Sequence, residues 1–417
     1  MKKFAVIFFF LISSLFAQSK ILIPMDLKQT DHLKAYGITF NSIKDGVVAD
    51  WLLNYRGGSF ILDYTQKVAL QCRLKGVLFE PLSNEQSVEI YSFVQSEEQN
   101  MEVVRLEKAP KIAVYVPPGF QPWDDAVTLA LEYAEVEYTK VWIEEIIRGD
   151  LDKYDWIHLH HEDFTGQYGK FFASFQGAQW YQEQQIIYEN EAKKLGFKKV
   201  SEMEKAVVIT IRDYVGGGGF LFAMCSATDS YDIALAALNV DIVDQMFDGD
   251  AVDANAQEKL DFSQTFAFEN FTLEMNPYVY EYSDIDIQPI EIQNPLNDYF
   301  TLFDFSAKYD PVPTMLTQDH VNIIRGFMGQ STMFRKNLIK KSVLILGERP
   351  GTEQVKYIHG NYGRGTFTFY GGHDPEDYQH AVGDNHTDLS LYKNSPGYRL
   401  ILNNILFPAA KKKKQKT

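Results

Sequence analysis

The chain has 417 residues, with 40 Lys and Arg against 56 Asp and Glu and a formal charge of −16. A body this acidic repels nucleic acid and anionic lipid, and no basic, aromatic-laced stripe offsets it, which excludes a nucleic-acid-binding role. The length calls for more than one small core, and two cysteines without C-x-x-C spacing, Cys72 and Cys225, exclude a cysteine-rich zinc site.

The chain opens MKKFAVIFFFLISSLFAQSK. A basic start at Lys2 and Lys3, an apolar run over residues 4–16 and a small residue at Ala17 make the layout of a cleaved secretory signal over residues 1–17, too short to span a bilayer comfortably. This predicts an exported chain, periplasmic or extracellular, with no membrane span. In an oxidising compartment the two cysteines can pair, although a protein of this size does not need the staple. Residues 18–108 read as a small α/β unit. ILIPM and VVADWLLNY have the character of strands, and LKAYGITFNSI and SNEQSVEIYSFVQSEEQ that of helices.

After the charged connector RLEKAPK, residues 109–410 alternate strand and helix. KIAVYV, YTKVWI, WIHLH and GFLFAMC read as strands. Pro122 and the Asp124/Asp125 pair suit a helix start before AVTLALEYAEV, and IEEIIRGDLDKYD is a helical connector. A long helical insertion covers about residues 168–200. SEMEKAVVITIRDYV follows, with Ser201 and Glu204 at capping-box spacing and Val207, Val208, Ile211 and Val215 on one face. Glycines 216–219 stop it. Residues 240–340 break the rhythm with FDGDAVDANAQEKLD and the strand-like YEYSDIDIQPI and VNIIRGFM, an insertion expected to pack beside the sheet. SVLILGE, GRGTFTFYGG and the helix SPGYRLILNNILF resume it, and residues 411–417, KKKKQKT, form a disordered basic tail. The alternation predicts a doubly wound, mostly parallel α/β sheet.

Ligands of open α/β sheets bind beyond the carboxyl ends of the strands. Four polar clusters here each follow an apolar run: PPGFQPWDD, HHEDFTG, CSATDS and GGHDPED. If those strands are parallel, the clusters share one rim and one pocket. Ala223 and Ala227 flank Cys225 two positions to either side, the small neighbours that a nucleophile on a sharp strand-to-helix turn needs, and the dipole of a helix beginning there would lower the thiol pKa. Against this, a free cysteine is among the most buried residue types and often just a small hydrophobe. His373 lies behind two glycines, with Asp374, Glu376, Asp377 and His380 near it, and is the natural base for a thiol. In WIHLHHED, His158 and His160 share a strand face while His161, Glu162 and Asp163 point into the rim, where they and GGHDPED can clasp sugar hydroxyls or a metal.

GGGGFLFAMCSATDSYD resembles the G-G-G-F-V-G-I-H-x-A-T-D stretch of the ThuA-like, trehalose-utilisation branch of the class I glutamine-amidotransferase-like superfamily. GRGTFTFYGGHDPEDY resembles that branch's G-R-V-F-Y-T-x-L-G-H-D segment, and PGYRLILNNILFPA is similar to its closing helix. LKAYGITFNSIKDG and ADWLLNYRGGSF are similar to exported bacterial proteins labelled asparagine synthetase B, although no S-G-G-x-D-S ATP loop is present. The resemblance implies a flavodoxin-like fold with Cys225 as nucleophile, His373 as base and Glu376 orienting it. The chain departs from the amidotransferase pattern in having His-x-x-Glu spacing and no glycines beside the elbow. His160, His161, Glu162, Asp163, Asp229 and Asp374 are the expected substrate-binding residues, with no metal and no cofactor. The expected function is a hydrolase or transferase acting on a small polar metabolite, a sugar or an amide. A non-catalytic binding protein with the same rim, and a metal-dependent enzyme using His160, His161, Glu162 and His373, are the alternatives.

Overall fold

The computed structural model describes residues 19–118, 125–287, 295–304, 306–315, 319–379, 381 and 383–410. The expected signal segment 1–17, Pro122, Asp124, His380 and the lysine tail 411–417 lie outside the described residues.

Two sheets organise the chain. The first is antiparallel, with strands β1 (Lys20–Ile23), β2 (Ala49–Leu53), β3 (Ser59–Asp63), β4 (Glu80–Leu82) and β5 (Glu102–Leu106) in the order β4-β1-β3-β2-β5. Helices α1 (His32–Lys44), α2 (Gln66–Lys75) and α3 (Asn84–Gln95) accompany it. Each begins on a side-chain cap: Asp31, Thr65 and Ser83 accept the N–H of Lys34, Val68 and Gln86.

The second sheet has ten strands: β6 (Ile112–Tyr115), β7 (Thr139–Val141), β8 (Trp156–Leu159), β9 (Phe220–Met224), β10 (Tyr299–Leu302), β11 (Ile323–Arg325), β12 (Phe334–Arg335), β13 (Leu344–Glu348), β14 (Gln354–Tyr362) and β15 (Gly365–Tyr370). Their order is β11-β10-β13-β14-β15-β9-β8-β6-β7, with β12 paired to β14. The pairs from β15 through β9, β8 and β6 to β7 are parallel, and the remaining pairs are antiparallel. The sheet is therefore mixed. Residues 240–340, expected beside the sheet, instead supply β10, β11 and β12 and lengthen its antiparallel half. Within the parallel half the strands stand in the chain order second, first, third, fourth, fifth.

The remaining helices are α4 (Ala126–Ala134), α5 (Ile143–Ile147), α6 (Phe172–Phe175), α7 (Gln179–Leu195), α8 (Val200–Gly216), α9 (Ala227–Ala236), α10 (Gln245–Asp248) and α11 (Pro396–Leu406). Alternate residues of the parallel strands feed two cores, as a strand's period of two requires. Ile112, Val114, Trp156, Phe220 and Phe222 pack with α1, α4 and α11, whereas Ala113, Tyr115, Ile157, Leu159 and Leu221 pack with α5, α8 and α9. On α8, Val207, Val208, Ile211 and Val215 are all buried, as their spacing predicts. The capping box does not form. The helix starts at Val200 on Lys199, and Ser201 and Glu204 are buried inside it, because Glu204 continues the apolar stripe one turn before Val208. Among the described residues, no helix is long and apolar enough to cross a membrane.

The two sheets are joined through α11. Its Arg399 is fully buried and donates to Tyr36 Oη and Met25 O, both at 3.0 Å, and to Gly57 O. Helix α1 packs on α4 through Gly37, where an added Cβ would lie 1.7 Å from the Ala134 carbonyl oxygen. Gly37→Ala is expected to cost about 1–3 kcal/mol in a urea unfolding titration, despite the gain in helix propensity, since backbone cannot yield as a side chain does. Gly177→Ala, which meets open space, is expected to stay within about 0.5 kcal/mol of the parent.

Candidate functional site

The parallel register sets Ile112 beside Trp156, Trp156 beside Phe220 and Phe220 beside Thr366. The carboxyl ends of β6, β8, β9 and β15 thus emerge at one edge, followed by Asp125, by His160 and His161, by Cys225 and by His373. The ring centroids of His160 and His373 are 4.5 Å apart and edge-on, and those of His160 and His161 are 5.4 Å apart. One ligating atom from each of these three histidines lies within 4.8 Å of the others.

Asp125 caps α4, its Oδ1 accepting the N–H of Val127 at 2.7 Å and of Thr128 at 3.1 Å. The same oxygen is 3.2 Å from His158 Nε2 and 3.6 Å from His160 Nδ1. Burial acts to raise its pKa, but the neighbouring histidine charges and the His158 hydrogen bond outweigh that and hold the carboxyl well below the usual carboxylate range. The ring of His158 is pinned at its other nitrogen, where Nδ1 lies 3.0 Å from Phe222 O. The sequence marks Asp125 only as a helix start; its second role depends on β8 lying next to β6.

The glycines before His373 are required by packing. Gly372 has φ +90°, and an added Cβ would meet the Phe327 ring at 2.5 Å, while one on Gly371 would meet Thr332 O at 2.6 Å. The segment 327–332 therefore crosses directly over this turn.

Cys225 has φ +48°, the left-handed backbone of a strand-to-helix elbow. Its N–H donates to Gly372 O at 3.1 Å, which brings it alongside His373 in the chain. The sulfur, however, lies beneath the crossing segment and accepts the Gln330 N–H at 3.4 Å, leaving the residue 4% exposed. Burial pushes the thiol up to about 11, against the opposing pull of the Gln330, Ser226 and Ser331 N–H groups. The expected lowering by a helix dipole is thus overridden by desolvation. Cys72 is also buried and is not bonded to Cys225.

Four other expected site residues make structural hydrogen bonds. The Glu376 carboxyl is hydrogen-bonded to Ser395 at the start of α11 and so anchors the loop that carries His373. Asp374 Oδ1 accepts the Glu376 N–H at 2.8 Å and shapes the same turn. Asp229 Oδ1 accepts a hydrogen bond from Ser331 Oγ at 2.7 Å, a brace between α9 and the segment over Cys225. Burial pushes Asp229 up to about 7. Asp163 accepts the N–H groups of Thr165, Gln167 and Gly169 at 2.7–2.8 Å, and so folds the loop after β8.

A cavity of about 350 Å³ opens beside the histidines, lined in part by Tyr115, Asp125, His161, Glu162, Trp180 and Tyr188. It lies beyond the ends of β6 and β8, where the chain order of the parallel strands reverses, the usual ligand crevice of such sheets. The insertion at residues 168–200 forms its far wall through α7. Glu162 Oε2 accepts the His160 N–H at 2.7 Å, and burial pushes its carboxyl up to about 8. Cys225, His373 and Asp229 are not among the described residues lining this cavity.

No known family matches the sequence, and no curated protein is significantly similar to it. The structure is similar to two solved cytoplasmic proteins of Salmonella typhimurium, STM3548 and STM1381. Each is 11% identical, with 72% of this chain covering 100% of theirs, at TM-scores of 0.34 and 0.36. An exo-β-1,4-mannosidase from Opitutaceae bacterium strain TAV5 is 13% identical over 63% of this chain and 31% of its own, at a TM-score of 0.25. Likeness at this level transfers no activity. Both Salmonella proteins are described as cytoplasmic, whereas residues 1–17 of this chain are read as an export signal; the description is of those proteins.

A thiol with a pKa near 11 is ionised to only about one part in 10⁴ at pH 7, and this one is also covered. Native protein treated with iodoacetamide is expected to show no rapidly modified cysteine, and guanidinium-unfolded protein to show both. Fast native alkylation of Cys225 would contradict the burial described here.

Proposed function

We propose that this chain is a hydrolase of the class I glutamine-amidotransferase-like, flavodoxin-like kind. In this reading it acts on a small polar metabolite with a divalent metal held by His160, His161 and His373. The observation that carries the proposal is the convergence of three imidazoles from the loops after β8 and β15 to within 4.8 Å. The second-first-third-fourth-fifth strand order supports the fold assignment, since it is the flavodoxin-like arrangement.

Imidazole donors suit zinc, iron, nickel or copper. Nitrogens about 2.1 Å from one ion stand roughly 3.4 Å apart, so the rings need to draw together by about an ångström. Asp125, beside His160, supplies the carboxylate that commonly orients a ligating histidine. Three protein ligands leave a further position open, the pattern of catalytic rather than structural sites. His161 belongs both to the triad and to the cavity wall, which favours substrate approach from that side. A cation so placed supplies an acidified water or a polarised carbonyl.

A second reading rests on the left-handed Cys225 elbow: thiol attack on an amide, with His373 as base. It requires the 329–331 segment to uncover the sulfur.

Purified without a histidine tag and equilibrated with zinc, the protein is expected to retain about one metal per chain by plasma mass spectrometry. His160→Ala and His373→Ala should lose most of it, and Cys225→Ala should keep it. Full metal content in His373→Ala, or no uptake of any of the four metals by the parent, would sink the metal reading. Thiol dependence of turnover in a metal-free preparation would favour the second.

A further inference from the structure

The cavity beside the histidines has a composition that says what kind of molecule it suits. Its walls are aromatic, with Tyr115, Tyr168, Phe171, Trp180 and Tyr188 among them. Its charge is acidic: Asp125, Glu132, Glu162 and Asp163 line it, and Lys140 is the sole lysine or arginine among the described lining residues.

Behind this wall sits a side chain that nothing above employs. Glu204 on α8 is 1% exposed, and neither carboxylate oxygen has a hydrogen-bond partner among the described residues. The charges acting on it are those of Asp163 and Glu162, both of its own sign, and it acts in turn on Tyr115 and Tyr188. All four of those residues line the cavity. A buried acid without a partner is costly, and two further acids beside it add to the cost. Gln184, on the same wall, likewise has a buried side-chain oxygen without a partner. The site thus combines aromatic faces with an excess of carboxyl groups over lysine and arginine, and the Glu204 and Gln184 side-chain oxygens are left without partners.

An anion is repelled from such a cavity, and a neutral sugar stacks on the rings but leaves the acids uncompensated. A protonated amine answers both needs, because it donates to carboxylates in charge-assisted bonds and lies favourably over tyrosine and tryptophan faces. We propose that the cavity selects a small metabolite carrying a protonated amine, its charge drawn to the Glu162–Glu204 pair and its body held against Tyr188 and Trp180. This rests on the hydrolase reading only in making that ligand the substrate.

The test is ligand-observed NMR on the full chain with matched amines and alcohols: glucosamine with glucose, ethanolamine with ethylene glycol, and 1,4-diaminobutane with 1,4-butanediol. In at least one pair the amine is expected to bind about tenfold more tightly than its alcohol, with affinity falling as salt is raised. Glu204→Gln, which removes the ionisable group while keeping the shape, should erase most of that preference. Should Glu204→Gln fold poorly, Trp180→Leu is expected to weaken the amine severalfold. Equal binding within every pair, no binding by any amine, or an unchanged preference in the folded variants would overturn the proposal. Metal content is read separately, so a protein that takes up no metal yet prefers the amine defeats the hydrolase reading and leaves this one standing.

Discussion

Everything at the rim depends on the hydrogen-bonded register of four parallel strands. Ile112, Trp156, Phe220 and Thr366 stand side by side, and each strand then ends on the same edge of the sheet. Parallel neighbours need crossover connections, so the polar segments after them are separated by whole helices in sequence and by a few ångströms in space. Asp125, His160 and His373 meet for no other reason. A single antiparallel strand inserted among these four would send one of the three to the opposite end of the molecule.

Desolvation decides what the gathered groups can do. Cys225 has the backbone of a nucleophile elbow, yet the segment 327–332 lies across it, held in several ways. Lys356, fully buried, donates to Thr332 O at 2.9 Å and to Phe327 O. Asp229 holds Ser331, and the glycines at 371 and 372 let the backbones touch. Burial then raises the thiol and lowers Lys356 to about 7, both toward their neutral forms. His160 and His373 are buried too, but His161 is half-buried and reaches the cavity. Access, more than residue type, separates the two candidate chemistries.

The antiparallel N-terminal sheet stands away from this chemistry and bears on it mechanically. Arg399 couples it to α11, whose start also anchors Glu376 and hence the loop that carries His373. Asp31, the cap of α1, accepts Tyr133 Oη of α4 at 2.7 Å, and Asp125 caps the other end of that helix. The helix that positions Asp125 is thereby held near both ends.

Local pattern carried much of the architecture. The alternation of KIAVYV, WIHLH, GFLFAMC and GRGTFTFYGG with amphipathic segments is enough to place β6, β8, β9 and β15, because period-two and period-3.6 burial are properties of a short window. So is the face of α8, and the gathering of polar clusters past apolar runs follows once the strands are taken as parallel. β14 escaped that reading, since Lys356, His359 and Asn361 interrupt QVKYIHGNY, and the lysine and histidine are buried by partners elsewhere in the chain. The same holds for β10 and β12, short strands to which β13 and β14 offer an edge, whereas β11 lies within the strand-like VNIIRGFM and pairs with β10. Glu204 fits a capping box as written; only the packed helix shows that it sits on the buried stripe. The sequence by itself determined which residues bear chemistry and which segments end in them. The fold decided which of those residues meet, which are sealed and which face a cavity, because contact and solvent exposure depend on chain segments that no local window contains.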